Sequence, residues 1–213
     1  MKRFITACVL MLAVVGWTSV HAETPPDQIS REVTDRIIKL IKANRDTYAK
    51  DYKKLYAMAD EHLLPHFDFR KMAQQVLGPT WRGATEEQRA RFTKEFRDLL
   101  VRTYATALLK YTSQEIVYLP LKMAPSDRVA TVKSQIRRTD GAPPIAINYS
   151  FFRTDAGWKI YDMAIEGPSI VTTYQRVYAE RLQKEGLDPL IASLAQENQR
   201  ALARGVTETG TAK

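Results

Sequence analysis

The sequence predicts an α+β protein, in which a curved antiparallel sheet of about four strands is covered by helices. Three observations carry this expectation. Apolar residues recur at helical spacing up to Thr112, they alternate between Glu115 and Ile165, and helical spacing returns after Gly167-Pro168. Helices first, strands together and helices last describe segregated layers, not a βαβ repeat. With 213 residues, 45% of them hydrophobic, the chain carries enough apolar mass for one full core.

Each segment has its own signals. Lys2 and Arg3 precede an apolar run from Phe4 to Val15 that falls short of the ~20 residues a membrane span needs, and Val20-His21-Ala22 supplies small residues at a cleavage site. Residues 1–22 therefore read as a cleaved secretory signal. The sole cysteine, Cys8, lies inside it, so the mature chain has no disulfide. Ile29, Val33, Ile37, Leu40 and Ile41 mark an amphipathic first helix. Tyr52, Leu55, Tyr56 and Met58 mark a second, ending near Pro65. A third runs from Asp68 as cap through Met72 and Val76 to Gly78-Pro79. Thr85 and Gln88 form a capping box. It opens the strongest element, whose stripe Phe92, Phe96, Leu99, Leu100, Tyr104, Ala107, Leu108 and Tyr111 predicts a continuous rod ~39 Å long at ~1.5 Å per residue.

Four strands are expected at Glu115–Leu119, Arg128–Arg137, Ile145–Arg153 and Gly157–Ile165, joined as a meander with a tight hairpin at Thr154-Asp155-Ala156-Gly157. Ser169 then opens a helix expected to turn Ile170, Tyr174, Val177 and Leu182 inward, closing at Gly186. Asp188 and Pro189 open the last helix, and the polar stretch 205–213 reads as a disordered tail. Residues 23–204 form the single expected domain.

Common catalytic signatures are missing from the sequence. It contains no G-x-S-x-G, P-loop, G-x-G-x-x-G or H-E-x-x-H motif, and Pro65 separates the only two histidines of the mature chain, His62 and His66. The enzyme reading that survives is a cone-shaped isomerase or hydrolase with Asp162 as general base and Glu166 beside it, its carboxyl raised by burial. Removal of residues 1–22 leaves 30 Lys+Arg against 24 Asp+Glu, a net +6 on 191 residues. For a secreted chain that charge excludes cytoplasmic nucleic acid as partner and leaves anionic lipid surfaces available, with basic helix positions Arg89, Arg91, Lys94 and Arg97 as docking candidates. A lipid-free adaptor using those helices is the remaining alternative.

The apolar surplus is more informative. Ile145, Ile147, Tyr149 and Phe151 alternate onto one face of the third strand, with Ala130, Val132 and Ile136 from the second and Tyr161, Met163 and Ile165 from the fourth. The long helix stripe is expected opposite them. Pattern alone leaves open whether the space between is filled.

Thr85-x-x-Gln88, Phe92, Phe96, Leu99-Leu100, Thr103-Tyr104 and Tyr111, followed by Trp158-Lys159-Ile160-Tyr161-Asp162-Met163 and Glu166-Gly167-x-Ser169, resemble the MlaC or toluene-tolerance family in order and spacing. The likeness extends from about Ile29 to Leu194, although Pro168 stands where the family usually has a small aliphatic residue. It implies an NTF2-like cone with an apolar pocket, in a periplasmic carrier whose cargo is a phospholipid and which needs no cofactor. It also implies partners: an outer-membrane lipoprotein-porin complex and an inner-membrane ABC transporter complex, between which such carriers maintain outer-membrane lipid asymmetry. Tyr104 and Ile145 carry over as pocket-wall positions. Leu100, Leu108, Ile147, Tyr149, Tyr161 and Met163 are added to them as same-face neighbours.

Overall fold

The computed structural model describes residues 23–110, 114–138 and 140–204. The expected signal segment 1–22, the tail 205–213 and the stripe residue Tyr111 lie outside them. Among the described residues the order is α1 (Pro26–Lys50), α2 (Tyr52–His62), α3 (Phe69–Leu77), α4 (Pro79–Gly83), α5 (Glu86–Tyr104), β1 (Ile116–Tyr118), β2 (Val129–Ile136), β3 (Ile145–Thr154), β4 (Gly157–Ile165), α6 (Ile170–Lys184) and α7 (Leu187–Arg204). The strands form one antiparallel sheet in the order β1-β2-β3-β4, the expected meander. The fold is α+β. No described helix is long and apolar enough to cross a membrane.

Local chemistry explains several boundaries. Asp51 and Asp68 accept backbone N–H groups at the starts of α2 and α3. At α5 both halves of the capping box form, Gln88 N donating to Thr85 Oγ1 at 3.2 Å and Thr85 N to Gln88 Oε1 at 3.0 Å. The free edge of β4 is partly covered, because Phe67 bridges to Ile160 and Asp68 N donates to Ile160 O at 2.8 Å.

Two elements depart from expectation. The long helix does not run unbroken to Tyr111: it ends at Tyr104 and continues as a 3-10 segment, Ala105–Leu109. No Gly or Pro breaks it, and the cause is packing. Leu99, Leu100 and Tyr104 serve one core, whereas Ala105, Leu108 and Leu109 serve another, and three residues per turn rotates the latter toward it. In α6 the inward row is Ile170, Tyr174, Tyr178 and Leu182 at i+4 spacing, with buried Val171 beside its start, and Val177 is 55% exposed instead of inward.

Burial is divided among three clusters. The largest joins α3 to α7 around Met72, Val76, Phe92, Phe96, Leu190 and Leu194. Within it Phe92 and Phe96 stack at 5.7 Å, and each meets a tyrosine of α6 edge-on, Tyr178 at 6.1 Å and Tyr174 at 5.2 Å. A second cluster joins α1, α2 and the 3-10 segment through Ile37, Ile41, Tyr48, Leu55, Met58 and Ala105. The third belongs to the sheet and comprises Ala130, Val132, Phe151, Trp158 and Ile160.

Candidate functional site

The geometry of interest lies where these clusters fail to merge. The sheet cluster shares no fully buried residue with either helical cluster; Phe67, half-buried, packs against both the sheet cluster and the largest helical one. The main approaches of α5 are to α3, α7, α2 and its own 3-10 continuation, while the elements that come close to the sheet are α1 on β2, and α3 and α6 on β4. The rod expected directly opposite the strands thus packs mainly on other helices, and the sheet is approached from its flanks.

Strand register defines the inner face. Across it lie the rows Ile136–Ile145, Tyr118–Ser134–Ile147–Ile165, Val132–Tyr149–Met163 and Ala130–Phe151–Ile160. The last row is fully buried. In the two central rows, however, Ile147, Ile165, Tyr149, Met163 and Tyr118 are only half-buried, although a polar outer face lies on the other side. Apolar side chains that point inward yet keep accessible surface describe an inner face that is not closed over. Tyr149 is the most enclosed of these at its hydroxyl: burial pushes its phenol strongly up, the Tyr118 phenol adds to this, and hydrogen bonds with Ser134 and Thr34 act the other way, although the residue keeps some accessible surface.

On the helical side, Tyr104, Tyr174 and Leu108 are also half-buried, whereas Leu100 is 6% and Ile145 4% exposed. Desolvation, with Tyr174 adding to it, pushes the Tyr104 phenol up to about 12. Tyr104 and Met163 both pack against the largest helical cluster, one from α5 and one from β4. Tyr104 and Met163 thus border one cluster from the helical and the sheet side.

Tyr161 departs from the expected wall. A bulge between Ser150 and Phe151 sets Ile160 opposite Phe151 and Met163 opposite Tyr149, which leaves Tyr161 out of phase. Its ring meets Phe152 at 5.7 Å on the outer face, with Lys71 Nζ above both rings. Alternation counted from Met163 could not register that extra residue.

Two sets of hydroxyl bonds, one tying α1 to the sheet and one within the sheet, were not predicted from the sequence. Tyr118 Oη donates to Ser30 O at 3.0 Å or to Thr34 Oγ1 at 2.8 Å, and buried Ser134 donates to Ile147 O at 3.3 Å. Ser134, the polar residue in an otherwise apolar alternation, was the available signal. The acidic candidates have structural engagements. Asp162 Oδ1 accepts from Met163 N at 2.8 Å and Val171 N at 3.1 Å, tying β4 to the start of α6, and Glu166 is exposed in the turn between them. The basic positions of α5 are paired: Arg91 with Asp188, Lys94 with Glu95 and Asp98, Arg97 with Asp60 and Asp98, and Arg89 with Glu86 and two backbone carbonyls. A separate cleft of about 400 Å³ lies between α1 and α2, lined by Asn44, Tyr48, Lys54, Met58 and His62 among others.

An open antiparallel sheet flanked by helices, with an unsealed apolar inner face, defines a class of small α+β binding proteins. The family model for the MlaC protein matches residues 31–196, and the chain belongs to that family. It is 27% identical over 199 residues to the intermembrane phospholipid transport system binding protein MlaC of Haemophilus influenzae, covering 92% of this chain and 93% of that one. It is also 27% identical over 180 residues to the toluene tolerance protein ttg2D of Pseudomonas putida, covering 84% and 82%. A phospholipid-binding protein from Ralstonia solanacearum, solved in complex with a phospholipid, superposes with a TM-score of 0.77 at 28% identity, over 84% of this chain and 99% of that one.

Proposed function

We propose that this protein is a periplasmic phospholipid carrier that takes acyl chains into the recess between sheet and helices and moves lipid between outer-membrane and inner-membrane complexes. The observation that carries the reading is the half-buried apolar inner face at Ile147, Tyr149 and Met163, together with half-buried Tyr104 and Leu108 on the helical side, in a chain of the MlaC family. The similarity to a protein solved with a phospholipid supports the same cargo. Ile145 and Leu100 stand behind this lining as packed support.

The energetics suit a carrier. One leaflet of hydrocarbon is about 15 Å deep, half of a ~30 Å bilayer core, and a strand rising ~3.3 Å per residue spans that in about five residues. About thirty methylenes at ~0.8 kcal/mol each amount to ~24 kcal/mol of gross transfer from water. Exchange between membrane and protein, by contrast, replaces one apolar environment with another and leaves a balance small enough for both loading and release. Direction then comes from partners, which in this reading are an inner-membrane ABC transporter complex and an outer-membrane lipoprotein-porin complex.

Phospholipid extracted from purified parent, Tyr104→Asp and Ile147→Asp proteins tests the proposal. A charge in the acyl path is costly, while a half-buried position lets the carboxylate reach water in the empty protein. The parent is expected to hold lipid stoichiometrically, and both variants to lose most of it with unchanged circular dichroism. Equal lipid content in all three would reject these wall assignments.

A further inference from the structure

The charge of the described chain is unevenly distributed. Between Arg36 and Lys54 stand seven bases, Arg36, Lys39, Lys42, Arg45, Lys50, Lys53 and Lys54, against two acids, Asp46 and Asp51. That is +5 in 19 residues, whereas the rest of the chain after residue 22 carries 23 bases and 22 acids, a net +1. The second half of α1 and the first turn of α2 therefore hold nearly all the net charge. All seven bases are exposed, and the only ion pair among them within the described residues is Lys54 with Asp51 at 4.0 Å. Arg89, Arg91, Lys94 and Arg97 of α5, by contrast, are matched to carboxylates.

We propose that the basic tip of this helical hairpin, where α1 ends and α2 begins, docks the protein electrostatically onto an anionic phospholipid bilayer surface; the acids Glu32, Asp35, Asp60 and Glu61 lie toward the other end of the two helices. Five of the seven bases are lysines spread over ~20 Å of helix, a diffuse field and not a bidentate pocket. The exposed large hydrophobic residues of the described chain, Leu119, Val129, Val177 and Leu202, all lie outside the hairpin. Protein interfaces concentrate binding on aromatic and arginine anchors and are poor in lysine, whereas a surface with five lysines to two arginines and no exposed large hydrophobic residue matches a layer of anionic headgroups. Each base near such a layer contributes about fivefold to binding, and salt screens the attraction beyond ~10 Å at 0.1 M. The kink at Asn44, where φ is −129° and ψ 22°, bends the basic end of α1 away from the straight axis of its first half. The docking surface is distinct from the proposed recess and does not depend on cargo being present there.

Flotation of the protein with phosphatidylcholine vesicles, and with vesicles partly substituted by phosphatidylglycerol, tests this. The parent should float with the anionic vesicles at low salt, remain behind with the neutral ones, and be released as salt rises. Replacing Lys39, Lys42, Arg45 and Lys50 together by Gln should weaken association at least about tenfold, while the matched set Lys122, Arg128, Lys133 and Arg176 to Gln should change it less than about threefold. Equal flotation with both vesicles, or equal loss in the two variant sets, would overturn the proposal. Binding of polyglutamate but of neither vesicle would overturn it in favour of an acidic protein partner. The gradient reports where the protein travels and not what it carries, so failure of the cargo reading would leave this result interpretable.

Discussion

Ile145 and Ile147 are two residues apart on one face of one strand, yet they sit in different physical situations. Ile145 is 4% exposed beside Ile136, with no accessible side on which an acid could be hydrated. Ile145→Asp should therefore destabilise the whole protein by about 4 kcal/mol, seen as a large fall in the urea midpoint, before any effect on lipid can be read. Ile147→Asp should leave that midpoint within about 1 kcal/mol of the parent. The tyrosines make a separate prediction at alkaline pH. Burial raises the Tyr104 phenol to about 12 and also raises Tyr149 and Tyr178, above an unfolded value of ~10. A raised folded value favours the native state while the phenol is neutral, so this contribution is complete below pH ~10 and is lost as pH climbs through about 12 for Tyr104. Tyrosinate absorbance should show these phenols ionising late, together with loss of structure. Ionisation near pH 10 with circular dichroism intact would contradict their burial.

At the scale of elements, the capping box is the local device most open to test. Thr85→Ala removes the acceptor for Gln88 N and should cost about 1 kcal/mol, a fall of about 2–4 °C in Tm for a domain of this size, with lipid content unchanged. Such signals were legible because they are local: the Thr85 box, the Asp68 cap, the Thr154–Gly157 hairpin and the four alternating strands need only neighbours in sequence. What could not be read depends on distant partners. Helical spacing runs through Tyr104 without a breaker, and only a second core formed by α1 and α2 explains the tightening at Ala105. The bulge that removes Tyr161 from the inner face is a property of the pairing between β3 and β4, invisible in either strand alone. Val177 and Tyr178 differ by a single helical step, which a stripe averaged over α6 does not resolve. The hydroxyl bond from Tyr118 to Thr34 joins residues 84 positions apart.

For the whole molecule, separation of the cores is the organising feature. A domain with this apolar content ordinarily closes its layers upon one another at near-crystalline density. Here the α3–α7 core and the α1–α2 core are each well packed, the sheet has its own buried end at Phe151 and Trp158, and the central inner face keeps accessible apolar surface. Unfilled apolar space forfeits dispersion contacts, so a chain that retains it gains when a ligand supplies the missing atoms. On the proposed reading, the acyl chains of a phospholipid are those atoms. Native mass spectrometry of protein taken gently from cells tests this most directly. The expected result is a mass increment equal to one phospholipid, released as intact lipid on activation. Protein that flies at its bare mass in every mild preparation, and that takes up no phospholipid when offered it, would contradict it.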